Sequence, residues 1–389
     1  MSTRDYCVGV TLSLAFAVAA AAATPSFFSI ELHSLAGPPG NVSAAGINRY
    51  GDVVGTSGGL PFVYHHPNGS VVQLGGLAPT VSVAGINDHV QMVGMQVNGT
   101  GIFGVEWTAN GGALQLPLGN LGYAVAIGNN GDIAGNAASL HLNNIAMKWV
   151  GPTHQAEYIG VLWEFPFPPG YGSSTANAIN NLGHVTGVSD AGEGFDPNTA
   201  QAFGVHAFLY KGPGKMTDLG ALALTKNGSD YSEGSGINDL DQVVGISNTA
   251  IPARNSLNQA CSTCGVAAHA FWWHGGKMQD LGNLANIPGW DSEGHGINNR
   301  GEIVGWSDSL VNGQSTHRAF LYVDGQMLNL QFYIYQRDPN VRLTEAVGIT
   351  CAGWIVANGF NVNSPNVSRA YLLIPRGPSN YQGCVNPGH

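Results

Sequence analysis

Apolar and polar positions alternate along this chain in short stretches, and turns rich in Gly, Asn or Asp separate them. Period-two alternation is the pattern of a half-buried strand, and turn signals every few residues point to an all-β protein. The stretches return in a fixed order. SEGHGINNRGEIVGWSDS, starting at Ser292, leads to HRAFLYVDGQMLNL, ending at Leu330. Before it stand SEGSGINDLDQVVGIS (Ser232–Ser247) with HAFWWHGGKMQDLGNL (His269–Leu284), and TANAINNLGHVTGVS (Thr175–Ser189) with HAFLYKGPGKMTDLGAL (His206–Leu222). Seven copies of a Gly-Ile-Asn core align on Ile47, Ile86, Ile127, Ile179, Ile237, Ile297 and Ile349, at spacings of 39, 41, 52, 58, 60 and 52. A period near forty, stretched by insertions, is that of β-propeller blades of four strands.

Each copy divides into four strands. The first ends at the Gly-Ile-Asn core, and a tight turn follows in which Gly51, Gly131, Gly183, Gly301 and Gly353 sit; glycine takes positive φ there at little cost. The second carries a Val-Val-Gly element, with Gly55, Gly94, Gly135, Gly187, Gly245 and Gly305. Glycine inside a strand marks a bulge or a close backbone approach, and close stacking of neighbouring blades would require it. The third strand is a His-Ala-Phe element (His206–Phe208, His269–Phe271) and the fourth an Asp-Leu-Gly element (Asp218–Gly220, Asp280–Gly282). The last copy has three strands and stops, while an orphan fourth strand, Phe28–Leu35, precedes the first copy. Pairing the two removes both exposed edges. The expectation is therefore a seven-bladed β-propeller whose N-terminal strand closes the last blade.

Composition sharpens the class. Glycine contributes 56 of 389 residues, charged residues are 10% and apolar residues 44%, which fits a packed, turn-rich β protein and not a disordered one. A formal net charge of −10 argues against nucleic acid or anionic lipid as partner. At the N-terminus, Arg4, the apolar run Val8–Ala20 and the small residues Ala21, Ala22 and Ala23 have the form of a secretory signal peptide. No other stretch is fit to span a bilayer. The division expected is residues 1–23 as signal peptide, 24–375 as propeller and 376–389 as a tail, in a secreted or periplasmic monomer. Cys7 leaves with the signal peptide, and Cys261, Cys264, Cys351 and Cys384 remain. An even count in an oxidising compartment favours disulfides. Of the three possible pairings we expect Cys261 with Cys264 and Cys351 with Cys384. Asn41, Asn68, Asn98, Asn227 and Asn366 head N-x-S/T sequons, which matter only if the source glycosylates.

The words AxGINxxGxVVG, HAFLY and MxDLGxL resemble the extracellular HAF repeat family, which takes its name from the His-Ala-Phe tripeptide. The match runs through nearly all of the chain after the signal peptide, strongest in copies four to six. Copy three has Gly128 in place of the Asn, and copy seven has Thr350 and Cys351. The resemblance implies a secreted, mainly bacterial repeat protein. It brings no catalytic residue, since the family has no established activity.

A propeller presents two faces. Turns between first and second strands, and between third and fourth, share one; here they are short. The other face takes the insertions Asp190–Gly204 and Asn248–Ala267, and the long inter-blade loops at Trp163–Ser174, Leu224–Ser232, Ala285–Ser292 and Gln331–Thr344. Function concentrates on elaborated loops over rigid scaffolds, so this face, over blades four to seven, is where the sequence places a binding surface. Glu233, Glu293 and Glu345 each precede the repeat Ile by four residues, near Asp230 and Asp291. Convergent carboxylates hold Ca²⁺ through oxygen, or act as acid and base on a glycosidic bond, or accept hydrogen bonds within their own turns. Trp163, Phe165, Phe167, Tyr171, Phe195, Tyr231, Trp290, Tyr333 and Tyr335 lie in or beside the same loops, suited to stacking on sugars, to a protein interface or to covering blade edges. His206 and His269 recur at one strand position, where a blade-to-blade hydrogen bond is expected in preference to metal. Cys261 and Cys264 lack the two further ligands of a zinc site. The leading expectation is a non-catalytic module binding a glycan or an extracellular protein through Glu233, Glu293, Glu345, Trp290 and Tyr231, without a cofactor unless it is calcium. The alternative is a polysaccharide hydrolase or lyase using the same carboxylates, and a purely structural role is a third.

Overall fold

A computed structural model describes residues 25–35, 40–75, 80–109, 112–117, 122–138, 144–163, 172–192, 204–223, 230–254, 259, 265–311 and 314–377. They form seven four-stranded antiparallel sheets arranged in sequence order around one axis. Blade six is representative: β22 (Ser292–Ile297) lies innermost, followed by β23 (Ile303–Val311), β24 (Gln314–Val323) and β25 (Gln326–Asn329). Blade seven consists of β26 (Val341–Ile349), β27 (Ile355–Asn361) and β28 (Ser364–Pro375), completed by β1 (Phe27–Glu31). Strand β1 pairs with β28 from Phe27 opposite Pro375 to Glu31 opposite Tyr371. One further bond, from Leu32 N–H to the Ala370 carbonyl at 2.9 Å, extends the closure. The ring is therefore closed as expected, by a strand slightly shorter than Phe28–Leu35.

The blades bury apolar faces against each other. Phe208, Phe271 and Phe320, the aromatic of the third strand in blades four to six, are fully buried. At the seam, Val53 and Phe62 of blade one share a core with Val356, Ala370 and Leu372 of blade seven. Each filled contact removes apolar surface from water at about 25 cal/mol per Å², and the same layer recurs at each junction.

Two glycine positions divide the backbone work differently from the sequence expectation. The second-strand glycine serves its own blade. A Cβ on Gly245 would lie 1.9 Å from the Glu233 carbonyl oxygen, and one on Gly305 would lie 1.9 Å from that of Glu293. Both oppose a β-bulge in the inner strand, where the register slips between Gly234 and Gly236 and between Gly294 and Gly296. The blade-to-blade approach falls instead to the glycine of the Gly-Ile-Asn core: a Cβ on Gly236 would lie 2.6 Å from the His295 carbonyl oxygen of the next blade.

The recurring histidines are corrected in the same sense. His206 Nδ1 lies 2.9 and 3.0 Å from the Asp218 carboxylate, and His269 Nδ1 lies 2.8 and 3.0 Å from that of Asp280. Both pairs tie third strand to fourth within one blade. The aspartates also accept the Gly220 and Gly282 N–H groups at 2.7 Å. Burial alone would raise the Asp280 pKa, but the His269 and Gly282 bonds outweigh it and lower the value. In blade seven the same place is taken by Arg369 on β28 and Glu31 on β1, which pair across the closure.

The residues expected to form a signal peptide, 1–23, lie outside the described set, as do Cys261, Cys264 and Cys384. Cys351 is disulfide-bonded. No helix among the described residues is long and apolar enough to cross a membrane.

Candidate functional site

The short-turn face, where the sequence reading sought nothing, carries a cavity of about 780 Å³ at the mouth of the central channel. Its wall is the isoleucine of all seven Gly-Ile-Asn cores. Its rim is made by the two residues after each isoleucine, and their bonding explains why the core motif recurs.

The first rim position is the motif asparagine. Asn238 Oδ1 accepts the Leu240 and Gln242 N–H groups, both at 3.0 Å, and so caps its own turn. Asn238 Nδ2 donates to the Asn298 carbonyl of the next blade at 2.9 Å. Asn298 repeats this toward Thr350 at 3.1 Å, Asn180 toward Asn238 at 3.0 Å and Asn87 toward Gly128 at 3.1 Å. These side chains are buried with their donors and acceptors used, as a buried amide requires.

The second rim position is Arg49, Asp88, Asn129, Asn181, Asp239, Asn299 and Cys351 from blade one to blade seven. In blades one to five its backbone N–H donates to the side-chain oxygen one blade on. The steps run Arg49 to Asp88 at 2.9 Å, Asp88 to Asn129 and Asn129 to Asn181 at 2.8 Å, then Asn181 to Asp239 and Asp239 to Asn299 at 2.9 Å. The amides return bonds to the acids: Asn129 Nδ2 lies 2.6 Å from Asp88 Oδ2, and Asn181 and Asn299 Nδ2 lie 3.0 and 3.1 Å from Asp239 Oδ2. Arg49 Nε stands 3.5 Å from Asp88 Oδ2, and its guanidinium lies 4.7 Å over the exposed Tyr50 ring. Asp239 is held by amides and has no cation in contact among the described residues. The rim is thus rich in amides and slightly acidic, above an apolar wall, with Tyr50 and Trp354 at its edge.

On the opposite face the candidates are drawn into the fold. Glu233 Oε1 accepts from Asn177 Nδ2 of blade four at 2.8 Å, and Oε2 accepts the Tyr231 hydroxyl. Glu293 accepts from Ser235 Oγ of blade five at 3.1 Å and Trp306 Nε1 at 3.2 Å, with His295 Nε2 at 3.6 Å. Glu345 accepts from Asn358 Nδ2 at 2.9 Å. Burial alone would raise the Glu293 pKa and lower that of His295. Their close approach and charge attraction, with Ser235, Trp306 and Glu345 assisting, reverse both: Glu293 is lowered and His295 raised. Burial and the Glu233 bond raise the Tyr231 pKa.

Trp290 is 2% exposed, so it is a core residue and not a stacking platform. Phe165, Phe167, Tyr171 and Phe195 lie outside the described residues. Among the described residues no group of three or more His, Cys, Asp or Glu side chains is placed to hold a metal ion. Sequence reasoning missed the rim because its second position changes identity from copy to copy; the available signal was the fixed offset of two after each isoleucine.

No family model matches the chain, and no curated protein matches it. Solved structures do. The chain is similar to the β-propeller domain of the Trilobed protease from Pyrococcus furiosus, at 8% identity and a TM-score of 0.53, over 87% of this chain and 99% of that one. It is similar to virginiamycin B lyase from Staphylococcus aureus, at 12% identity and 0.50, over 90% and 99%. It also resembles Pyrococcus horikoshii acylaminoacyl peptidase, at 9% and 0.52, over 89% of this chain and 53% of that one. At these identities the likeness is one of fold. The chain is a seven-bladed β-propeller.

Proposed function

We propose that this protein is a secreted, non-catalytic recognition propeller of the HAF repeat type, and that it binds the end of a glycan or a hydroxyl-bearing protein segment in the cavity of the short-turn face. One observation carries the reading: the channel mouth combines an isoleucine wall with a ring of amides and two carboxylates, backed by bonds that hold every blade from one to six in register. Such a rim exchanges hydrogen bonds with hydroxyls without reorganising, which lowers the cost of binding. Apolar ring faces rest against isoleucine and Tyr50.

The long-loop face of blades four to seven, to which the sequence points, is less well supported. Its three glutamates are occupied by donors from the protein itself, and Trp290 is buried. That occupancy also weighs against the hydrolase or lyase alternative, because an acid–base pair needs a carboxyl group free to exchange protons with substrate. The test is a glycan array probed with the exported full-length protein, followed by incubation with each bound glycan. Binding without turnover is expected, and Tyr50→Ala is expected to weaken it about tenfold, or ~1.4 kcal/mol. Turnover that disappears in Glu293→Gln would overturn the reading in favour of an enzyme.

A further inference from the structure

Charge is unevenly balanced on the cavity face. The turns between first and second strands carry six carboxylates: Asp52, Asp88, Asp132, Asp239, Asp241 and Glu302. Five have a basic side chain beside them. Asp52 stands 3.5 Å from His65, Asp88 3.5 Å from Arg49, Asp132 3.4 Å from Lys148 and Asp241 2.7 Å from His184, and Glu302 is paired with Arg300. Asp239 is the exception among the described residues, and it lines the cavity.

The Asp239 carboxylate is nevertheless held in place. Its Oδ1 accepts the Asn181 backbone N–H at 2.9 Å, and its Oδ2 accepts Asn181 and Asn299 Nδ2 at 3.0 and 3.1 Å. These donors are neutral, so they fix the group without cancelling its charge. An ionised carboxylate offers about four acceptor positions, which leaves one open. The one cation of the rim, Arg49, belongs to blade one, on the far side of the ring from blade five, and is engaged by Asp88 and Tyr50. The uncompensated charge at the channel mouth therefore falls on Asp239.

We propose that Asp239 anchors an ammonium group, and that the glycan taken by this cavity presents an amino sugar with its amine free, a 2-amino-2-deoxyhexose. An ammonium brings three donors and a compact positive charge. It meets a half-buried carboxylate beside an isoleucine wall, where attraction exceeds that in bulk water. The flanking amides suit the rest of the sugar, in which the amine stands between oxygen substituents on the two neighbouring carbons. Asn181 and Asn299 bond Asp239 from the blades on either side. Each has a second N–H on Nδ2 and a second lone pair on Oδ1 for those oxygens. An N-acetylated sugar lacks the positive charge, and a uronate brings a charge that Asp239 repels. The inference rests on the cavity being the glycan site.

The test is titration calorimetry of the full chain in weakly acidic buffer, where a sugar amine is protonated. A short glucosamine oligomer is compared with the N-acetylated oligomer of the same length. The free-amine oligomer is expected to bind about tenfold more tightly, and Asp239→Asn is expected to abolish that preference. The variant keeps the ring intact, because asparagine already makes the same acceptor bond at Asn129, Asn181 and Asn299, at 2.8, 2.8 and 2.9 Å. A preference that survives Asp239→Asn comes from the acidity of the whole protein and overturns the proposal. Equal binding of the two oligomers, weakened for both by Tyr50→Ala, overturns the amine anchor and leaves the cavity reading standing. Binding that prefers the amine but ignores both Asp239→Asn and Tyr50→Ala overturns the two together. A short oligolysine that binds as tightly as the amino-sugar oligomer overturns the assignment to a sugar.

Discussion

The two ends of the channel use repetition in opposite ways. On the short-turn face the second rim position varies among Arg, Asp and Asn, yet one bond recurs: a backbone N–H of one blade to the side-chain oxygen of the next. On the long-loop face the residue is constant, Glu233, Glu293 and Glu345, while its partners differ each time: Asn177 with Tyr231, Ser235 with Trp306 and His295, and Asn358. A recurring bond with changing residues marks a surface where chemistry can diversify without loosening the ring. A recurring residue with changing bonds marks a structural filler that each blade accommodates locally.

That contrast predicts an order of sensitivity. The largest effect is expected at the first rim position. Asn238→Ala removes two bonds to its own turn, one to Gln242 at 2.8 Å and one to blade six at 2.9 Å, the last of them fully buried. At about 1 kcal/mol each, the loss should be ~4 kcal/mol in urea unfolding; a loss below a third of that would break the comparison.

Next comes Glu293. Its lowered pKa contributes stability above the ordinary glutamate value, lost as pH falls through the folded value. The raised pKa of His295 contributes below the ordinary histidine value, lost as pH rises through the folded value. Both are fully present only between about pH 4.3 and about pH 6.5. Thermal unfolding of Glu293→Gln across that window should lie below the native protein by its widest margin, and a constant offset from pH 4 to 9 would contradict the coupling.

The smallest effect is expected for Glu233→Gln, which keeps its shape and its acceptor for Asn177. A change under ~0.5 kcal/mol is expected from calorimetry. A larger one would show that the long-loop face is built to the same tolerance as the rim.

Much of the fold was legible because a propeller repeats its own sequence. Period, four-strand division and the closure by the first strand all follow from spacing and turn chemistry. What the spacing could not tell was whether a recurring residue serves its own blade or the next one. The second-strand glycine and the His-Ala-Phe histidine both work within a blade, against expectation, because a β-bulge and a third-to-fourth strand bond recur at the same period as a blade contact. The rim was illegible for the converse reason: Arg49, Asp88 and Asn129 share no side chain, only a backbone geometry that brings the next blade's oxygen to their N–H groups. Trp290 was misjudged because its loop position suggested exposure, whereas the chain folds it under.

The pairing of Arg369 with Glu31, 338 positions apart, marks where the ring bears its chain-entropy cost. Six blades complete themselves from neighbouring chain, each within some sixty residues or fewer. The seventh must join the first described strand to the last, and ring closure over that contour costs about 5 kcal/mol of chain entropy, (3/2)RT ln n. The cost is met once, when a single short strand zips into register and its carboxylate meets the waiting guanidinium. The circle is thus sealed by the contact that costs the chain the most entropy.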